Sequence, residues 1–363
     1  ESDRVACASG LKKNVAAARL SHPFTDEDEL VCHLIGDALL NAGLSPESLS
    51  GERVRVYLTG LGPRVDRQDY GLFYDHNAME DLKIQTRITR LHAKNLAQDR
   101  LGHRVARKYA LCRMPPCLHC SSNSALAAVH LGIQAINSGE IDIVLVVNGS
   151  AVATQDLVFL DSQSMLDGER TQPFCEESRS VLPSEGFAAL VLESERHRAR
   201  RTAEGGIRLV SDYLQMSASR TNDASQLTSG VLKVMHNTLA KADITAGSLC
   251  AVIPHANGSG VSDKAEAQAL SSLLNGTTVP VLAYKGQIGY VTTGSGIIDM
   301  IIGHHSLMQG ELISPSGAGN IRSNIAGHLL LNKGIIHHDK QHLLKVGLGV
   351  DGSIIGLLMS VSC

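Results

Sequence analysis

The chain lacks a charge excess of either sign. Its formal net charge is −3 over 363 residues, which gives nucleic acid or an anionic membrane surface no electrostatic reason to be its main partner. It lacks an apolar run of the ~18 residues that a membrane span needs, so no span is expected. The given stretch also opens without the basic start and apolar middle of a secretory leader. Its eight cysteines, Cys7, Cys32, Cys112, Cys117, Cys120, Cys175, Cys250 and Cys363, are scattered. That is no small secreted disulfide framework, and a reducing cytoplasm is the expected setting. Cys117 and Cys120 form a C-x-x-C around His119. A redox pair and half of a zinc site are both open readings, yet no second ligand pair stands at zinc spacing, so no metal is expected. Against these absences stand 43% hydrophobic and 19% charged residues, the balance of a folded globular chain. The length suffices for two ordinary cores or one large two-layered body.

Apolar strand-like runs alternate with helical stretches, which predicts an α/β protein with mostly parallel sheets. Residues 25–43 read as a helix that Thr25 can cap, with acids in the first turn and Gly43 at the end. Val54–Leu61 reads as a strand, and 62–100 as polar loop and short helices that could line an entrance. Residues 120–138 are apolar nearly all round, as a buried helix is. Ile141–Val147 is an apolar strand interrupted only by Asp142. Residues 161–185 are irregular, and Phe187–Leu192 reads as a strand. The basic run Arg196–Arg201 is either a solvated face or a patch for an acidic partner. The theme then repeats: helices over 229–242, 264–274 and 294–309, strands over 249–254 and 279–284, and a closing hairpin around Val350-Asp351-Gly352. The division expected is two related halves, residues 1–198 and 199–363.

Cys120 sits where a strand should stop and a helix should start. Unpaired N–H groups and the positive helix end favour a thiolate there. Three further segments lie at predicted strand ends, where open α/β sheets place their sites: His255 in IPHANGSG, Lys285 and Tyr290 in AYKGQIGYVTTGSG, and the glycine turn in KVGLGVDGS. A phosphate loop is excluded for that turn, since no G-K-[ST] follows. Singly, a histidine at a strand end is more often structural, and a lysine there is usually a surface lysine.

Together, in this order, the four segments resemble the β-ketoacyl synthases of the thiolase superfamily. The family's T-A-C-S-S-S is matched by Leu118-His119-Cys120-Ser121-Ser122-Asn123. Its N-A-H-G-T-S-T-P-x-G-D-K-A-E is matched by Ile253 to Glu266, its K-S-x-x-G-H by Lys285 to Tyr290, and its closing G-F-G-G-T-N by Gly347 to Gly352. Val181–Gly186, after Gln172–Phe174, is similar to V-L-G-E-G after R-P-F-D. The resemblance implies a thiolase-like five-layered αβαβα fold of two related halves, paired as a dimer. It implies that Cys120 takes an acyl chain from the phosphopantetheine arm of an acyl carrier protein, with no other cofactor. Backbone N–H groups of Cys120 and the Gly349 region would hold the oxyanion, with Leu348 at the gate. His255 would hydrogen-bond the malonyl thioester carbonyl, Lys285 would order the site electrostatically, and Asp299 and Glu185 would support it. Asn257 and Ser259 stand where the family contacts the carrier arm.

The pattern also departs from the family. Tyr290 replaces the second histidine, and a phenol has no proton-accepting nitrogen at neutral pH. Leu348 replaces the gatekeeper phenylalanine, Asp351-Gly352 the closing Thr-Asn, and His119 a small residue. The function implied is a ketosynthase-family subunit of a type II fatty-acid or polyketide (polyene) system, acting on carrier-bound chains that grow by decarboxylative condensation. Its place would be that of a chain-length-factor-like partner in a heterodimer with an active ketosynthase. The alternatives are a self-sufficient homodimeric synthase that uses Tyr290, and a non-condensing acyltransferase or thioesterase.

Overall fold

The computed structural model describes residues 15–24, 26–60, 100–152, 154–167, 171–203, 205–217 and 224–362. The entrance expected over 62–100 lies outside them, apart from Arg100. In the first half the chain forms α1 (Glu27–Asn41), β1 (Val54–Gly60), α2 (Arg100–Lys108), β2 (Cys117–Leu118), α3 (Ser124–Asn137), β3 (Ile143–Ser150), α4 (Thr154–Ser162), β4 (Gly186–Glu193) and α5 (Glu195–Arg200). In the second it forms β5 (Ile207–Met216), α6 (Ala224–Ala240), β6 (Leu249–Ile253), α7 (Gly260–Leu273), the one-turn α8 (Lys285–Ile288), α9 (Ser295–Gln309), β7 (Glu311–Ile313), β8 (Ile335–His337), β9 (His342–Leu348) and β10 (Ser353–Val361).

Two four-stranded sheets carry the fold, in the orders β2-β1-β3-β4 and β5-β10-β9-β6. In the first, β1 is parallel to β2 and β3, and β4 returns antiparallel. In the second, β6 is parallel to β9, while β10 runs antiparallel to β9 and to β5. Val281 bridges the outer side of β6 in parallel, where β2 stands beside β1. The two halves therefore repeat one connectivity, with β5 as an addition in the second. Residues 279–284, expected as a strand, make only this bridge and a second one to Leu329.

Helices α3 and α9 lie between the sheets and touch strands of both. Helices α1 and α2 cover the first sheet and α6 and α7 the second, giving five layers, α-β-α-β-α. The middle layer is apolar for this reason: Ala125, Leu126, Ala128, Val129, Ile297 and Met300 are all buried in one cluster with strands of both sheets. Every residue of β3 is buried, as the apolar run predicts for a strand covered on both faces. Its start is fixed by Asp142, which accepts hydrogen bonds from Arg53 (2.6 Å), Ser194 (2.8 Å) and Arg196 (2.7 Å). Arg201 likewise grips the buried Glu193 and the end of α1 at Ala42 O. Two arginines of the basic run are thus tied to buried carboxylates. Helix α1 is capped by Asp26, whose side chain accepts from Glu29 N; the expected cap, Thr25, is not among the described residues. Among the described residues no helix is long and apolar enough to cross a membrane.

Candidate active site

Helix α3 begins at Ser124, four residues later than expected, because residues 120–123 make a tight turn. Ser121 adopts φ 46°, and Asn123 N donates to Cys120 O (2.9 Å). Cys120 is half-buried at the end of β2, outside the helix. Its Sγ donates to Asp351 Oδ2 at 3.3 Å. Burial raises the thiol pKa; a bond with Ser353 opposes this, and the Asp351 carboxylate adds to the rise. Burial and the Asp351 carboxylate thus act against the dipole-stabilised thiolate expected from the sequence. Cys117 and Cys120 are not joined as a disulfide. Among the described residues no three histidine, cysteine or acidic side chains gather as metal ligands.

His255 follows β6 and is buried. Its backbone N–H and that of Ala256 donate to the two oxygens of Glu266, at 2.8 and 2.6 Å. Burial, then Lys285 and Lys345, drive its pKa well below the usual histidine range. It is a neutral imidazole, able to donate from one nitrogen and accept at the other. The Tyr290 ring meets it edge-on at 5.8 Å. Tyr290 is itself buried, and its hydroxyl is hydrogen-bonded to Ser122, two residues after Cys120. Burial raises the phenol pKa, so it stays protonated. Residues 182–184 run alongside, with Tyr290 N donating to Leu182 O (2.7 Å) and Ser184 N to Tyr290 O (3.1 Å).

Lys285 opens a single helical turn after the Val281 bridge and is fully buried. Its Nζ lies 2.7 Å from Asp299 Oδ2, on α9. The same oxygen receives Lys345 Nζ at 2.5 Å, and Lys345 also donates to Pro254 O at 3.0 Å, next to His255. Burial lowers the Lys345 pKa. The sequence reading passed over Lys345 as part of a glycine-turn segment. The available signal was an ionisable residue inside the apolar strand HLLKVGL, which demands a buried partner. It likewise missed Ser122 and the reach of Asp351.

The structure thus brings together the segments of Cys120, His255, Lys285, Tyr290, Asp299 and Asp351. Glu185 is not part of this cluster. Its carboxylate holds Arg19 (3.0 Å) and Leu20 N (2.9 Å), tying down the segment before α1. Asn257 is buried, and its side chain accepts from Ser259 N (3.1 Å); Ser259 is the half-buried N-cap position of α7. Leu348 belongs to the second-sheet core. Both expected oxyanion donors are engaged internally: Cys120 N donates to Ser124 Oγ (2.9 Å) and Gly349 N to Ser353 O (2.8 Å).

Two family profiles match the sequence. "Beta-ketoacyl synthase, N-terminal domain" covers residues 28–198, and "Beta-ketoacyl synthase, C-terminal domain" covers residues 210–317. The chain belongs to the β-ketoacyl synthase family. Among curated proteins it is 24% identical over 76% of its length to a pikromycin polyketide synthase component from Streptomyces venezuelae. It is 25% identical over 83% of its length to 6-methylsalicylic acid synthase from Aspergillus niger. It spans only 7% and 17% of those two much longer proteins. Among solved structures, a β-ketoacyl synthase from Burkholderia phymatum matches with a TM-score of 0.79, 17% identity, and coverage of 96% of this chain and 88% of that one. A type II ketosynthase in complex with its acyl carrier protein and bound to a hexaketide matches with a TM-score of 0.78 and 16% identity, covering 93% and 86%. The ishigamide ketosynthase/chain length factor matches with a TM-score of 0.74 and 18% identity, covering 94% and 85%. These likenesses establish the thiolase-like fold.

Proposed function

We propose that this ketosynthase-family chain works on carrier-bound acyl chains in a type II elongation system, as a chain-length-factor-like partner of an active ketosynthase. The observation that carries the reading is Tyr290. Where the family places its second imidazole, this chain has a buried phenol fastened to Ser122. A protonated phenol donates one hydrogen bond and accepts no proton at neutral pH. The engaged N–H groups of Cys120 and Gly349 point the same way. Removing one preorganised oxyanion donor costs on the order of 10²–10³ in rate. Co-purification tests the reading. The tagged chain, expressed in its native source, is expected to come down one-to-one with a second ketosynthase-family chain, and alone it should not extend an acyl-carrier substrate with malonyl-carrier protein. A homodimer that condenses unaided overturns it.

A second reading, a self-sufficient synthase, is favoured by the retention of Cys120, His255 and the Lys285–Asp299 pair. That reading requires an acyl adduct on Cys120 in intact-mass spectra of the chain alone, and an extended product that disappears in Cys120→Ala. An adduct with no extended product selects non-condensing acyl transfer.

A further inference from the structure

We propose that Asp351 is a brake on the nucleophile, holding Cys120 as the unreactive thiol. The inference rests on reading Cys120 as this family's nucleophile, and not on the choice of partner. A carboxylate is an acceptor only, so the Sγ–Oδ2 contact of 3.3 Å keeps the proton on sulfur. The contact is held in place from behind. Asp351 Oδ1 accepts from Ser353 N (3.1 Å) and Ser353 Oγ (2.7 Å). Ser353 is in turn held by Asn123 Nδ2, which donates to its Oγ (2.9 Å) and its carbonyl (3.0 Å). Asn123 is the N-cap position of α3, so the same turn carries both the nucleophile and the anchor of its brake. Gly349 completes the fit: a Cβ there would fall 2.2 Å from Asp351 Oδ1 and 2.4 Å from Ser353 Oγ.

The charges around the sulfur are one-sided. Among the described residues, Asp351 is the charged group bearing on the thiol, and it opposes ionisation. The cations of the site, Lys285 and Lys345, act on Asp299 and His255 instead. His119, next in the chain, is exposed. Acylation would form a bond from Sγ to the acyl carbonyl carbon, break that carbon's bond to the carrier-arm sulfur, and pass the Sγ proton to the leaving sulfur. Asp351 resists the start of this sequence by favouring S–H. The thiolate is the nucleophile, so the brake acts before any partner or substrate is considered.

The test reads thiol chemistry alone. The full chain is alkylated with iodoacetamide from pH 6 to pH 10, and each cysteine is followed by peptide mass spectrometry. In the unmodified protein the Cys120 rate is expected to rise with a midpoint above the ordinary thiol range of about 8.5. Asp351→Asn is expected to lower that midpoint by about one pH unit and to raise the rate at pH 7.5 about tenfold. Asp351→Glu should retain the slow rate. Superimposable wild-type and Asp351→Asn profiles overturn the proposal. A wild-type midpoint at or below the ordinary range overturns it as well, and decides the matter even where the variant does not fold. Neither result depends on finding a heterodimer, so failure here is distinct from failure of the functional reading.

Discussion

Single residues account for the departures of this site from its family, and Asp299 shows how closely they are coupled. One carboxylate oxygen serves two buried ammonium groups, Lys285 at 2.7 Å and Lys345 at 2.5 Å. The other oxygen is buried without a hydrogen-bond partner among the described residues. Removing the shared anion leaves two unpaired buried cations, whereas removing Lys345 leaves a balanced pair. Breaking a buried ion pair from one side costs about 3–5 kcal/mol, while apolar replacement of surplus charge approaches neutrality. Asp299→Asn is therefore expected to destabilise the fold by at least about 3 kcal/mol, and Lys345→Met by much less. Urea unfolding of the two variants checks the order; equal losses would mean that Lys345 is a full partner in the pairing rather than a surplus charge.

Elements were legible where local chemistry and tertiary demand agree. Acids in the first turn gave α1, the unbroken apolar run gave β3, and the glycine turn gave the β9–β10 hairpin. The sequence reading went astray where a distant partner decides. It placed the start of α3 at Cys120, but Ser121 turns at positive φ and postpones the helix to Ser124. It read 279–284 as a strand, although that segment meets β6 at one position only. It gave β5 no place, because half-buried alternation interrupted by Asp212 and Gln215 is a weak strand signal. At the site, the order of motifs was readable, since each chemical group sits just after a strand. The Cys120–Asp351 contact was not, because it spans 231 residues and depends on how a hairpin lies over a helix start. The middle layer offers a sharper test of element packing. A Cβ at Gly296 of α9 would lie 2.4 Å from Leu126 Cγ of α3. Overpacking of this kind costs roughly 1–3 kcal/mol. Gly296→Ala should lower the unfolding midpoint accordingly, and the double variant Gly296→Ala with Leu126→Ala should recover part of the loss attributable to the clash.

At the scale of the whole molecule, the second of two halves of one connectivity buries ionisable groups whose pH responses oppose each other. Asp263 lies in the core beside the site and accepts from Phe174 N, Asn257 N and Gly258 N. Burial nevertheless pushes its pKa up to about 6. A raised carboxyl stabilises the fold fully below its unfolded value near 4, and that stability is lost as pH rises toward 6. His255 behaves in the opposite sense. Its depressed pKa makes the neutral form native, so its contribution is present above the unfolded value of about 6.5 and is lost as pH falls. Each group carries a slope of about 1.4 kcal/mol per pH unit where only the unfolded chain has changed protonation. Below pH 6 the Asp263 slope opposes that of His255, while Glu266, also raised by burial, acts in the sense of Asp263. Asp263→Asn removes one side of this balance. Asparagine keeps one acceptor for the three N–H donors, so a constant loss is expected at every pH. Superimposed on it, the stability of the variant relative to the wild type should climb from pH 4 to pH 6 by about 3 kcal/mol in all, then level off. Urea midpoints measured at half-unit steps read this directly. Parallel curves would place the ionisation of Asp263 at its ordinary value and remove burial as the force that governs this core.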